Sequence, residues 1–233
     1  MLNEIPYLRV FSEPLALNFI LSSPKAPTEE LLISRFRKVA TLLDLATPSQ
    51  FRGLVVKWGS WSILCWKLIE SALHPRSTIF LWRDSIEVAV SLLAEKPQWL
   101  EKTELEAIFE RYAADFKPRN TGADAESVSR ILAAMMTAAN SMPASTLKVN
   151  YTMLPMGVID VICTSMNWEI DDSIAARMME VSKYDAKSNK KIVFKDDSKS
   201  KQMHAPNDVK YFVKKICERG NKKRLGTNSG MNL

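Results

Sequence analysis

Cysteine, histidine and glycine are all scarce in this chain. Its three cysteines, Cys65, Cys163 and Cys217, are odd in number and widely separated along 233 residues. That argues against a disulfide framework and predicts a reducing, cytoplasmic setting. Two histidines, His74 and His204, stand apart from any ligand-type Cys/His spacing, so no metal cofactor is expected. No apolar run approaches the roughly 20 residues that span a bilayer, so no transmembrane segment is expected. The first residues, MLNEIPYLRVF, lack the basic start and long apolar region of a secretory signal. The composition that remains is ordinary for a globular protein: 46% hydrophobic and 25% charged, enough for one substantial core.

Charge is unevenly spread. Residues 183–224 hold 14 Lys/Arg against 5 Asp/Glu, a net +9, so the rest of the +6 chain carries −3. A basic C-terminal segment on a near-neutral body suits a phosphate or another polyanion. The plain alternative is a solvated tail.

Apolar spacing divides the chain into alternating elements. Arg9-Val10-Phe11 reads as a short strand stopped by Ser12-Glu13-Pro14, and Pro14 opens a helix. After a Pro-rich break at 23–28, Thr28 caps a second helix with Leu31, Leu32, Phe36, Val39 and Leu43 at helical spacing. Residues 53–57 and 77–82 are compact apolar strands, each followed by a helix, at 61–73 and 85–94. Helices are predicted over 103–114, 123–140 and 207–219, and a strand over 147–151. Strands this apolar, separated by helices, predict one parallel sheet covered on both faces. The domain expected is 1–219, with a basic, unstructured tail at 220–233.

Ligands of open parallel sheets bind beyond the carboxyl ends of the strands. Lys57 closes GLVVK and Arg83 closes TIFLWR, so two cations stand at strand ends ahead of helix N-termini. A helix N-terminus adds partial positive charge and N–H groups. Ser91, eight residues after Arg83, is placed to share a phosphate gripped by the Arg83 fork. The plain alternative pairs Arg83 with Asp84 or Glu87 and makes Ser91 a small packing residue. Trp58, Trp61, Trp66 and Trp82 flank the strand ends; core filling is the default reading and adenine stacking the functional one.

The run TIFLWRDSIEVAVSLL resembles the 3′-phosphate-binding segment of sulfotransferases that use 3′-phosphoadenosine 5′-phosphosulfate (PAPS). LVVKWGSWSIL resembles the strand carrying that family's catalytic-site Lys. VNYTMLPMGVIDVICTSMNWEIDD resembles its later V-x-Y-E-x-L segment and following helix. VFSEPLALNFIL resembles the Ser-Glu-Pro segment of a bacterial sulfotransferase-like group. Together these place the resemblance over roughly residues 8–202.

The resemblance implies a P-loop NTPase-like α/β fold, PAPS as co-substrate, and a hydroxyl or amine acceptor chosen by residues 97–142, which carry no signature. It implies that Arg83 and Ser91 bind the 3′-phosphate, with Lys199 and Lys201 near the cofactor's phosphates. Lys57 would neutralise the bridging oxygen as the sulfuryl group leaves, and Glu13 would be the general base. Gly59 stands where the family's K-x-H histidine would be, which excludes that histidine's chemistry. The sequence departs from the family in having no glycine ahead of Gly53. The Gly/Ser-rich loop that cradles the 5′-phosphosulfate is therefore missing, and the sheet is expected to lack its first strand–loop–helix unit. Open sheet edges then predict self-association. The rivals are a non-catalytic relic that binds adenosine 3′,5′-bisphosphate weakly and a polyanion binder working through residues 183–224. Nucleic acid itself is not the expected partner.

Overall fold

Each predicted strand forms, and each takes one parallel neighbour. A computed structural model describes residues 1–23, 28–101, 103–117, 124–184, 192–193 and 196–225. Strand β1 (Leu8–Ser12) pairs with β2 (Gly53–Lys57) in parallel, with Leu8 opposite Gly53 and Ser12 opposite Lys57. Strand β3 (Ile79–Trp82) pairs with β4 (Leu147–Asn150), with Ile79 opposite Leu147 and Trp82 opposite Asn150. Helices α1 (Leu15–Leu21) and α2 (Glu29–Leu45) join β1 to β2. A 3-10 run, Ser60–Cys65, leads into α3 (Trp66–Leu73) between β2 and β3. Helices α4 (Ser85–Ala94), α5 (Thr103–Tyr112) and α6 (Ala125–Asn140) carry the chain from β3 to β4. After β4 come a π-helical turn (Val158–Cys163), α7 (Asp172–Ser182), α8 (Ser198–His204) and α9 (Asn207–Leu225).

The single parallel sheet expected from the sequence is instead two two-stranded sheets, and among the described residues no ladder joins them. Strands this apolar would suit burial on both faces, yet Leu54, Leu81 and Trp82 are exposed. Strand identity is a local property that apolar runs report; the choice of neighbour is a long-range one that they do not. The two ladders are held by a shared cluster, to which β1 gives Leu8 and β4 gives Val149. Ile162 from the π-helical turn and Met178 from α7 close it. A larger helical core packs α1, α2, α3, α5, α6 and α9 around Phe36, Leu68, Phe109, Val128 and Val213.

Helix starts follow the caps. Thr28 Oγ1 accepts from the Leu31 N–H at 3.2 Å, and Asp124 and Asp171 cap α6 and α7 in the same way. Thr28→Ala is expected to cost about 1 kcal/mol, seen as a lower thermal midpoint. The predicted helix at 61–73 begins as 3-10, and α7 and α8 were not predicted. Residue 219 falls inside α9, which continues to Leu225. Positions 24–27 of the Pro-rich break and 226–233 of the tail lie outside the described residues. Among the described residues no helix is long and apolar enough to cross a membrane. The three cysteines are buried, and burial pushes the thiols of Cys65 up to about 12 and Cys217 up to about 11.

Candidate functional site

Two groups of polar side chains gather at the carboxyl ends of the strands. The first is made by β1 and β2. Their register sets Ser12 beside Lys57, so the next residue, Glu13, lies within reach of the Lys57 side chain. Lys57 Nζ donates to Glu13 Oε1 at 3.2 Å, and the Glu13 N–H donates to the Lys57 carbonyl at 2.7 Å. Glu13 adopts φ 51°, a left-handed conformation that glycine tolerates better. Strain of this kind often accompanies a functional position. The side chains are open to solvent, 65% for Lys57 and 49% for Glu13, so the pair itself adds little stability. Gly59 keeps this corner close: a Cβ there would lie 3.3 Å from Trp61 Nε1 and 3.5 Å from Glu13 Oε2.

The second group surrounds Arg83, immediately after β3. Arg83 Nε donates to Glu87 Oε2, one helical turn on in α4. Its NH2 group donates to Asp197 Oδ1 at 2.9 Å and to Ser198 Oγ at 3.0 Å, both at the start of α8. The guanidinium lies 4.9 Å from the centre of the Tyr151 ring, which follows β4. Glu87 is 2% exposed, and its second oxygen accepts from Gln202 Nε2 at 2.6 Å. Lys201 Nζ reaches Asp197 Oδ2 at 2.7 Å. Two cations and two carboxylates thus interlock α4 with α8.

The predicted residues fall on these two groups unevenly. Glu13 and Lys57 meet directly. Arg83 and Ser91 are not brought into contact: Arg83 binds the Glu87 carboxylate, while Ser91 Oγ donates to the Glu87 backbone carbonyl one turn back in α4 at 2.9 Å, the plain arrangement. Lys201 joins the Arg83 group through Asp197, whereas Lys199, two positions away, is exposed. The N–H groups expected to be open at the start of α4 are partly taken, because Asp84 Oδ1 accepts from Ile86 and Glu87. A carboxylate at an N-cap satisfies those orphan donors and offsets the helix dipole. Trp58 stacks on Phe36 at 5.7 Å and Trp61 is buried, while Trp82 is exposed beside Arg83. His74 ends α3 in a left-handed conformation, and His204 sits on the last turn of α8. The open groove along α2, lined by Glu30, Ile33, Arg37 and Leu42, is formed by that helix rather than by the strand ends.

Burial opposes ionisation of Glu87, but hydrogen bonds from Arg83, Gln202 and Ser198 outweigh it and hold the carboxyl below its ordinary 4.5. Asp197 is lowered in the same way: burial raises it, and Lys201 and Arg83 more than reverse that. Arg83 is held above its ordinary value, because bonds to Glu87 and Asp197 outweigh the desolvation that would lower it. A carboxyl depressed on folding contributes stability above its unfolded value, and the contribution fades as pH falls through the lowered one. The stability difference between wild type and Glu87→Gln is therefore expected to be full above pH 4.5 and to shrink on acidification, measured by urea unfolding at stepped pH.

Glu87, Asp197, Ser198, Gln202 and Tyr151 complete the Arg83 group. The sequence offered Glu87 only as the plain partner of Arg83, through their one-turn spacing. The α8 residues gave no signal, being more than a hundred positions away in a short polar helix. No family model matches the chain, and no curated protein does.

Proposed function

We propose that this chain is a sulfotransferase-like protein, built to take the 3′-phosphate of PAPS near Arg83 and Ser91 and to place the sulfuryl group near Lys57 and Glu13. The observation that supports this most is the meeting of Glu13 and Lys57. The two residues lie 44 positions apart in sequence, and their contact is set by the β1–β2 register. A P-loop NTPase-like arrangement is part of the same reading: both ladders are parallel, and the polar groups stand at the strands' carboxyl ends.

In the reaction, the acceptor oxygen or nitrogen forms a bond to sulfur as the bond from sulfur to the bridging phosphate oxygen breaks. Glu13 takes the acceptor's proton, and Lys57 neutralises the charge growing on the bridging oxygen. The Glu13–Lys57 contact has to part for this, and the exposure of both side chains leaves room for ligand between them. Lys57 and Arg83 attract charge, but alignment of the phosphosulfate supplies much of such catalysis. Residues 1–52 contain no glycine to form a phosphosulfate cradle. Transfer of labelled sulfate from PAPS to a panel of hydroxyl and amine acceptors by residues 1–233 alone is therefore expected to be weak, and Lys57→Ala or Glu13→Gln should abolish most of it. Transfer that neither substitution lowers would contradict this mechanism.

A polyanion-binding role has its own support in α9. Val209, Val213 and Cys217 bury one face of that helix, and Lys214, Lys215 and Tyr211 lie on the exposed one. Lys215 Nζ donates to Tyr211 Oη at 2.8 Å. A steep fall in heparin or oligonucleotide binding with salt would favour this reading.

A further inference from the structure

We propose that α8 acts as an internal competitor for the Arg83 anion site, with the Asp197 carboxylate occupying the place that a ligand phosphate would take. The inference rests on the nucleotide-binding reading of Arg83 and adds its regulation.

Three features carry it. First, the contacts divide Arg83 into an inner and an outer side. Nε is held by the buried Glu87, which fixes the guanidinium at the start of α4. NH2 is taken by the half-exposed Asp197 and the buried Ser198, in a segment more than a hundred residues away. A carboxylate and a phosphate oxygen are equivalent partners for that outer edge. Second, the cluster carries no positive excess. Arg83 and Lys201 face Glu87 and Asp197, and Asp196 adds a further negative charge near Arg83. A phosphate of charge about −1.5 to −2 meets no net attraction there. Turning Asp197 away removes the carboxylate that holds the NH2 group of Arg83. Third, the two sides differ in exposure. The Asp197 side chain is 48% exposed against 2% for Glu87, so Asp197 is the partner that water and ligand reach first. Opening α8 therefore exposes the outer edge of Arg83 and takes Gln202 from Glu87, while the Arg83–Glu87 pair inside α4 stays in place. Lys201 pulls on the second oxygen of Asp197 and gives the carboxylate a cation to keep when Arg83 turns to a ligand.

Asp197→Asn isolates the charge. The Asp197 side chain makes no capping bond to α8, whereas Asp196 Oδ1 accepts from the Ser198 N–H at 3.0 Å, so the helix start survives the change. The probe is adenosine 3′,5′-bisphosphate, titrated into the full-length chain and into the Asp197→Asn variant by calorimetry. Hydrogen exchange of the α8 amides is followed in wild type with and without the nucleotide. The expected results are an affinity about tenfold higher in the variant and faster α8 exchange in liganded wild type. An occupied site lowers apparent affinity by the fraction of molecules that are closed. Equal or weaker binding by the variant, or α8 protected rather than released by ligand, would overturn the competitor while leaving Arg83 as the binding residue. Absence of binding to both proteins would overturn the nucleotide site, and the competitor with it.

Discussion

Glu87→Leu is expected to destabilise the fold by about 3 kcal/mol, the lower end of what removing one partner of a buried ion pair costs. Glu87 is 2% exposed and binds Arg83 through one oxygen and Gln202 through the other, so its loss strips both partners at once. Arg83 keeps Asp197 and Ser198, which is why the lower end applies. With Asp197 shared between Arg83 and Lys201, the Arg83 charge is left only partly compensated, and that costs more than the lost bond. An Arg83→Met, Glu87→Leu double variant should therefore recover most of the stability, since apolar side chains of similar volume suit a buried pair's place. Urea unfolding of the two single variants and the double one measures this. An additive double variant would show that the two side chains act independently and that the α4–α8 clasp is not a unit.

Phe36→Ala is expected to cost about 3–5 kcal/mol, because a fully buried aromatic leaves a cavity that its neighbours fill incompletely. Phe36 is 0% exposed in α2 and stacks on Trp58 with ring centres 5.7 Å apart and planes at 27°. Trp58 directly follows Lys57, so this packing ties the helical core to the end of β2. The variant should also lose near-UV ellipticity from the indole, and with it the orientation of the Lys57 corner. Its near-UV signal is expected to fall more than its secondary structure, which far-UV ellipticity would report. An unchanged unfolding midpoint would mean that the Phe36 site collapses without a cavity.

Much of the local structure was legible in the sequence. Apolar runs located the four strands of the described residues, and Thr28 marked the start of α2 through the same hydroxyl that caps it. Lys57 and Glu13 were each legible as residues at the ends of strands, but their contact was not: only the β1–β2 register brings them into hydrogen-bond range. What could not be read was long-range. The separation of the two ladders depends on which strand edges find partners, and each five- or four-residue run looks the same whether it has one neighbour or two. The clasp around Arg83 was half visible, since Glu87 lies one helical turn away. Asp197, Ser198 and Gln202 belong to α8, a seven-residue helix whose SKSKQMH has one apolar residue and no amphipathic period to announce it. Asp84 shows a third kind of miss: the acidic residue that marks a helix start also consumes N–H groups that the anion-site reading had left open.

The central claim is that the Arg83 side of this chain binds a nucleotide through its 3′-phosphate. Its most direct measurement compares adenosine 3′,5′-bisphosphate with adenosine 5′-monophosphate in calorimetric titrations of the 233-residue protein, at matched ionic strength. A charge-assisted hydrogen bond is worth about 1.5–3 kcal/mol, so the bisphosphate should bind at least about tenfold more tightly. Raising salt should narrow that preference. Equal affinities for the two nucleotides, or binding of neither, would contradict the account.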